Sequence, residues 1–164
     1  MDDLQMKMIG DAARFAVEIG PADSSSRQMR IVNIYVGGKN ISEVDNAAYV
    51  PQFVTSLRRA ADALKRKIDY AKYEPLFLQH SLEEAYQRLA ADEGELFGAC
   101  RVLDLGATTD SSLSFLIPYR NRLYLASRTI DEDEAVTSPL AIVEITAYDI
   151  VRVLESTIEV LENA

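Results

Sequence analysis

The sequence has 164 residues, of which 48% are hydrophobic and 26% charged, and this average globular composition excludes a disordered or fibrous chain. Its 17 Lys and Arg against 26 Asp and Glu give a net charge of −9, which argues against a nucleic-acid-binding surface built on clustered cations. The single cysteine excludes an internal disulfide, and the length predicts one domain over residues 1–164.

The first quarter of the chain predicts two strands. Residues 14–19 alternate apolar and polar side chains with a period of two, which is typical of a strand with one buried face. The polar segment 20–26 predicts a turn, and the β-branched and aromatic residues of 29–36 predict the second strand. The glycine pair at 37–38 predicts a tight hairpin turn. Whether a third short strand follows at residues 40–42 is left open by the pattern.

Two amphipathic helices are predicted next. Pro51 suits the first position of a helix, and apolar residues recur at spacings of three and four over residues 53–68. Ser81 and Glu84 form a capping box, which predicts a second helix ending before Gly94. The opposite face of the first helix carries the main basic concentration of the chain, namely Arg58, Arg59, Lys65, Arg66 and Lys67.

The rest of the chain predicts three strands and a last helix. Apolar-rich runs at 96–105, 113–117 and 122–129 are separated by turn residues and predict a three-stranded meander. Thr146 with Asp149 caps a C-terminal helix, which we expect to pack on one face of the sheet. The predicted fold is therefore α+β, with a mainly antiparallel sheet of about five strands and three helices.

The residues offer one enzymatic alternative. His80 is the only histidine, and a small ligand-binding or hydrolytic domain would need it to converge with Asp104 and Asp110 in one pocket. Cys100 has no neighbouring base in the sequence, so packing in a core is its expected role. The glycine pair at 37–38 is followed by Lys and Asn, which does not match a phosphate-binding loop. We expect no catalytic residue, no metal site and no cofactor.

Two short segments concentrate the acidic side chains. Runs of like charge usually stay solvated, but they also steer and bind a cationic partner. If the two segments lie at the same end of the molecule, they form one anionic surface. A weaker alternative is an adaptor that pairs through the basic helix face at 58–67. The expected partner-binding residues are Asp131, Glu132, Asp133 and Glu134 in one segment and Asp92, Glu93 and Glu95 in the other.

Several segments together resemble the immunity protein 42 family of bacterial polymorphic-toxin and contact-dependent growth inhibition systems. They are the residues at 8–19, the strand and glycine turn at 31–41, the Tyr-Val-Pro helix start at 49–57, and the Asp-Ser-Ser-Leu-Ser-Phe stretch at 110–115. The C-terminal helix follows in the expected order. These features are structural rather than catalytic.

The resemblance implies a cytoplasmic antitoxin that is not an enzyme. Such a protein binds the C-terminal toxin domain of an effector delivered by a neighbouring cell and blocks its active site or substrate path, without turnover. Toxins that act on nucleic acid need cationic clefts, so an acidic inhibitor fits a basic toxin, with a nuclease as one example. The start of the sequence lacks a secretory signal and no apolar run reaches membrane-spanning length, so cytoplasmic location without membrane contact is expected. Nucleic acid is not expected as a direct partner.

Overall fold

A computed structural model of the chain describes residues 6–23, 26–43, 45–66, 69–92, 94–130 and 139–163. Within these ranges nine β-strands form two antiparallel sheets, and four α-helices accompany them. The predicted α+β class is thereby confirmed. The strands divide into sheets of five and four, where the sequence predicted one sheet of about five, and there is one more helix than the three predicted.

The first sheet confirms the predicted strands at 14–19 and 29–36, both of which are longer than predicted. The predicted turn over 20–26 is wrong, because the two strands continue into it through register shifts between Ile19 and Asp23. Such bulges let a strand bend and accommodate a proline without losing its partner. The strands of this sheet are β1 (Lys7–Asp11), β2 (Phe15–Asp23), β3 (Ser26–Val36), β4 (Lys39–Asn40) and β5 (Ala47–Tyr49). Their order is β1-β2-β3-β4, and β5 also pairs with β3.

The glycine pair after β3 makes the predicted hairpin turn. Gly37 and Gly38 have φ of 58° and 84°, a conformation that glycine adopts without steric cost and that suits the twist of a tight hairpin. The turn leads into the two-residue strand β4 at Lys39–Asn40, so a short third strand exists, but it precedes most of the range 40–42 that the sequence left open.

The second sheet has the order β6-β7-β8-β9, which confirms the predicted meander strands at 113–117 and 122–129 and retains a short part of the third. Of the predicted strand at 96–105, only Arg101 and Val102 are a strand, which pairs with β7. The first half of that predicted strand is a helix whose Leu96, Phe97 and Cys100 pack on one core, and an apolar run alone does not distinguish a short buried helix from a strand. The strands are β6 (Arg101–Val102), β7 (Ser112–Tyr119), β8 (Arg122–Thr129) and β9 (Ala141–Glu144).

The helices begin where capping residues predict. The hydroxyl of Ser81 accepts a bond from the Glu84 amide, and that of Thr146 accepts one from the Asp149 amide, both at 3.1 Å. Pro51 lies in the first turn of the first helix. None of the helices in the described ranges has the length and apolarity for crossing a membrane. The helices are α1 (Val50–Lys65), α2 (Leu82–Ala91), α3 (Glu95–Cys100) and α4 (Ala147–Glu162), with 3₁₀ helices at Tyr70–Leu76 and Gly106–Thr109.

Two hydrophobic cores lie on opposite faces of the second sheet. The larger core joins one face of the first sheet to α1, α4 and the second-sheet residues Leu116 and Leu125. The smaller core joins Phe115 and Ile117, on the opposite face of the second sheet, to α2 and α3. The predicted packing of the C-terminal helix on a sheet face is confirmed, since α4 contacts β1 and β2.

Candidate functional site

His80 is occupied by local contacts just before α2. The Arg88 guanidinium donates a hydrogen bond to Nε2 of the His80 ring, and Nδ1 of the same ring lies 3.2 Å from the Glu84 carboxylate. Hydrogen bonds from His80 and then from Ser81 hold the pKa of Glu84 below its usual range. The backbone oxygen of His80 accepts a bond from the Tyr119 hydroxyl at 2.8 Å. These contacts give His80 a structural role at the start of the helix.

Asp104 and Asp110 flank the 3₁₀ helix at Gly106–Thr109 and make contacts of their own. The Asp104 carboxylate lies 3.9 Å from the Arg101 guanidinium, and the backbone amide of Asp110 bonds to Ala107. A largely apolar cavity of about 340 Å³ lies beside Asp104, but neither Asp110 nor His80 lines it. The described contacts therefore do not bring the three residues of the enzymatic alternative together.

Cys100 is fully buried in the smaller core, as its sequence context predicted. Burial raises the pKa of its thiol to about 11, so the reactive thiolate is not formed near neutral pH. It lies at the end of α3 rather than in the middle of the predicted strand. Within the described ranges, no three His, Cys, Asp or Glu side chains converge as a possible metal-ligand set.

The basic face of α1 is partly neutralised inside the molecule. Arg58 forms an ion pair with Glu162, and the Lys65 ammonium lies 2.9 Å from the Glu155 carboxylate, both on α4. Two of the five basic residues that carried the adaptor alternative are thus held by the neighbouring helix. Lys67 lies outside the described residues.

Two of the three acids of the segment at 92–95 are described, Asp92 at the end of α2 and Glu95 at the start of α3. The Asp92 carboxylate accepts a bond from the Gly94 amide at 2.8 Å, and Glu95 is exposed in the first turn of α3. Glu93 lies outside the described residues, as do all four acids of the other segment: Asp131, Glu132, Asp133 and Glu134. Whether the seven acids form one surface stays a prediction.

The described residues on either side of the 131–138 segment have defined contacts. Arg128, two residues before Ile130, bonds to Glu83 of α2 at 2.8 Å. On the other side, the carbonyl of Pro139 accepts a bond from Lys39 at 3.1 Å. Arg128 of β8 thus contacts α2, and Pro139 contacts the β4 hairpin of the first sheet.

A different surface, which the sequence did not indicate, lies on the first sheet. One face of this sheet is buried against α1 and α4, whereas the other carries exposed hydrophobic side chains. In register across β1, β2 and β3, Met8 faces Glu18 and Glu18 faces Asn33. We call this surface the open face and define it by Met6, Met8, Glu18, Ile31, Asn33, Tyr35 and Tyr49.

A hydrogen-bond network fixes the polar centre of the open face. One oxygen of Glu18 accepts hydrogen bonds from the side-chain amide of Asn33 at 2.9 Å and from the Tyr35 hydroxyl at 3.5 Å. The side-chain oxygen of Asn33 in turn accepts from Asn40 at 3.1 Å and from Asn46 at 3.3 Å. Partial burial, and then the nearby Glu18 charge, raises the pKa of Tyr35, which keeps the hydroxyl as a donor. The carboxylate is thus held in one orientation.

The hydrophobic part of the open face flanks this network. Met6, Met8 and Ile31 are 40%, 42% and 40% exposed, and Tyr49 is 46% exposed. Met6 lies across Gly20, where an added Cβ would come within 2.8 Å of its sulfur and 3.1 Å of Ile31. Gly20 therefore leaves room for Met6 and Ile31 to pack side by side on the surface.

Comparison with known proteins gives a structural match without a sequence match. Neither a protein-family model nor a curated relative matches the sequence. The structure is similar to the crystal structure of CdiI from Burkholderia dolosa AUO158, with a TM-score of 0.60 and 16% sequence identity over 96% of this chain and 100% of that chain. That protein is a contact-dependent growth inhibition immunity protein. At this identity the likeness shows that the two chains share a fold.

Proposed function

We propose that this protein is an immunity protein that binds a cognate toxin domain and neutralises it by stoichiometric blocking. The observation that carries the proposal is the likeness in fold to CdiI, which covers 96% of this chain and 100% of that chain. The independent resemblance of its sequence segments to an immunity family points the same way. The described contacts of His80, Asp104 and Asp110, which hold them in separate local structures, favour a binding protein over a hydrolytic one.

The proposed partner is the C-terminal toxin domain of a contact-dependent growth inhibition effector, and the proposed place of action is the cytoplasm. A net charge of −9 favours a toxin with a cationic surface, such as a nuclease. We assign a steering role to the seven acids at 92, 93, 95 and 131–134, because clustered charge mainly accelerates association and contributes less to the strength of the final complex.

The proposal predicts that a toxin domain is encoded beside this chain, and association kinetics with that domain test both the toxin binding and the steering role of the acids. The wild-type chain is expected to bind with 1:1 stoichiometry at nanomolar to low micromolar concentration. Replacing Asp131 and Asp133 by lysine should lower the association rate constant by about tenfold at low salt and flatten its salt dependence.

A matched control reverses two exposed acids elsewhere, Asp62 and Asp110, with the same change in net charge. If both double variants slow association equally, total charge rather than the segment at 131–134 governs steering. If the wild-type chain does not bind at micromolar protein, the immunity function itself is wrong.

A further inference from the structure

We propose that the open face of the first sheet is the surface on which the toxin docks, and that the toxin presents to it a cationic side chain flanked by apolar ones. This inference rests on the proposed immunity function and adds the site and the chemistry of the contact. It separates two roles, with the acidic segments steering the encounter and the open face holding the complex.

The hydrophobic side chains of the open face are the first argument. Four of the nine large hydrophobic side chains that are exposed in the described ranges lie on it: Met6, Met8, Ile31 and Tyr49. Contiguous exposed hydrophobic surface on a soluble domain usually marks a protein contact. Methionine and tyrosine are also enriched in interface cores, the first for its adaptable shape and the second for its large rigid ring.

The charge at the centre of the open face identifies the partner's chemistry. Both described bonds to Glu18 reach the same oxygen, Oε1. None of the ion pairs in the described part of the chain includes Glu18. A protein that covers the open face would remove water from this carboxylate. Burial of an unpaired carboxylate is costly, so a fitting partner supplies a Lys or Arg side chain at that point.

The surroundings of the network strengthen this requirement. Glu43 and Asp45 are exposed in the segment between Asn40 and Asn46, whose amides belong to the network. These two acids add negative charge close along the chain to the network, where Lys39 interacts with the charge of Glu43. The preferred occupant is therefore a cationic surface.

A second copy of this chain is a poorer occupant. Two copies that met by their open faces around a two-fold axis would bring Glu18 towards its own counterpart, and each chain carries a net charge of −9. The rigidity of the site also suits a fixed partner surface. Glu18 and Asn33 stand on paired strands and are held by the network, so little order has to be gained on binding.

Equilibrium binding of the adjacent toxin domain to four variants of the full chain tests the assignment. Ile31→Ser and Glu18→Gln are each expected to raise the Kd by about 30-fold, as for central interface residues. The matched controls are Ile142→Ser, which changes an exposed isoleucine of β9 that is 37% accessible, and Asp110→Asn, which removes an exposed carboxylate. Both controls should stay within about threefold of wild type.

Methyl NMR gives a readout that needs no substitution. The chain has four methionines, Met1, Met6, Met8 and Met29, so labelling their methyl groups with carbon-13 reports mainly on the first sheet. Addition of one equivalent of toxin domain should shift or broaden the Met6 and Met8 signals.

Each outcome decides a distinct point. Weakened binding of the two open-face variants, with normal controls and shifted methyl signals, supports the assignment. Normal binding of all four variants with unmoved methyl signals overturns it and leaves the immunity function standing. Methyl shifts that depend on the concentration of this chain alone would make the open face a contact between copies and also overturn it. Absence of toxin binding by the wild-type chain would instead reject the immunity function.

Discussion

Replacement of Phe115 by alanine is expected to lower the free energy of unfolding by about 3–5 kcal/mol. Phe115 is fully buried at the centre of the smaller core. Its ring packs edge to face against Tyr86 of α2 at 5.3 Å and against Phe97 of α3 at 5.4 Å between centroids. Its removal leaves a cavity beneath both helices and also removes two aromatic contacts, each worth about 0.5–1.5 kcal/mol.

Urea denaturation of the variant, followed by far-ultraviolet circular dichroism, measures this loss. Phe115→Leu is the core control and should cost about 1–2 kcal/mol, because it keeps most of the buried volume. Tyr148→Ala removes an aromatic ring that is 68% exposed and should change stability by no more than about 0.5 kcal/mol. A loss below about 1 kcal/mol for Phe115→Ala would mean that α2 and α3 are not packed on the sheet as described.

Replacement of Gly10 by alanine is expected to cost about 3 kcal/mol, an unusually large effect for the addition of one methyl group. Gly10 has a φ of 96°, which side-chain-bearing residues rarely adopt. A Cβ at this position would lie 2.6 Å from the Phe15 carbonyl oxygen and 2.9 Å from Val153 of α4. Relief of the first clash requires movement of the backbone that pairs β1 with β2.

Gly38→Ala provides the matched control because it shares the backbone conformation without the crowding. Its φ is 84°, and an added Cβ would meet nothing within 4 Å. Only the conformational cost of about 1–2 kcal/mol should remain. Thermal or urea unfolding of the two variants separates the free-energy cost of the clashes from the cost of the backbone conformation. Equal losses would contradict the close approach of β1 to β2 and α4.

The elements that could be predicted from the sequence are those with local signals. Capping residues at Ser81 and Thr146 place two helix starts correctly, and the alternation at 14–19 identifies a strand with one buried face. The run at 96–105 misled because its apolar residues fit a short helix as well as a strand. The division into two sheets depends on long-range pairing, for which the sequence carries no local signal.

Of the two candidate binding surfaces, the acidic segments could be predicted from the sequence and the open face could not. The acidic segments are visible in the sequence because their charges are consecutive. The open face is not, because Met8, Glu18 and Asn33 come from three strands and meet only through the strand register. The alternation in β2 does show that Glu18 points away from the buried side. What the sequence does not show is that the described helices leave that side uncovered.

Titration of the toxin's activity against this protein tests the central claim most directly. The substrate is the one that the adjacent toxin domain consumes, and the protein is added in steps to a fixed toxin concentration far above the Kd. The account predicts a linear fall in activity that reaches its minimum at one molecule of this protein per toxin domain and shows no further time dependence. Full toxin activity at a large excess of this protein, or inactivation of many toxin molecules by each copy, would contradict it.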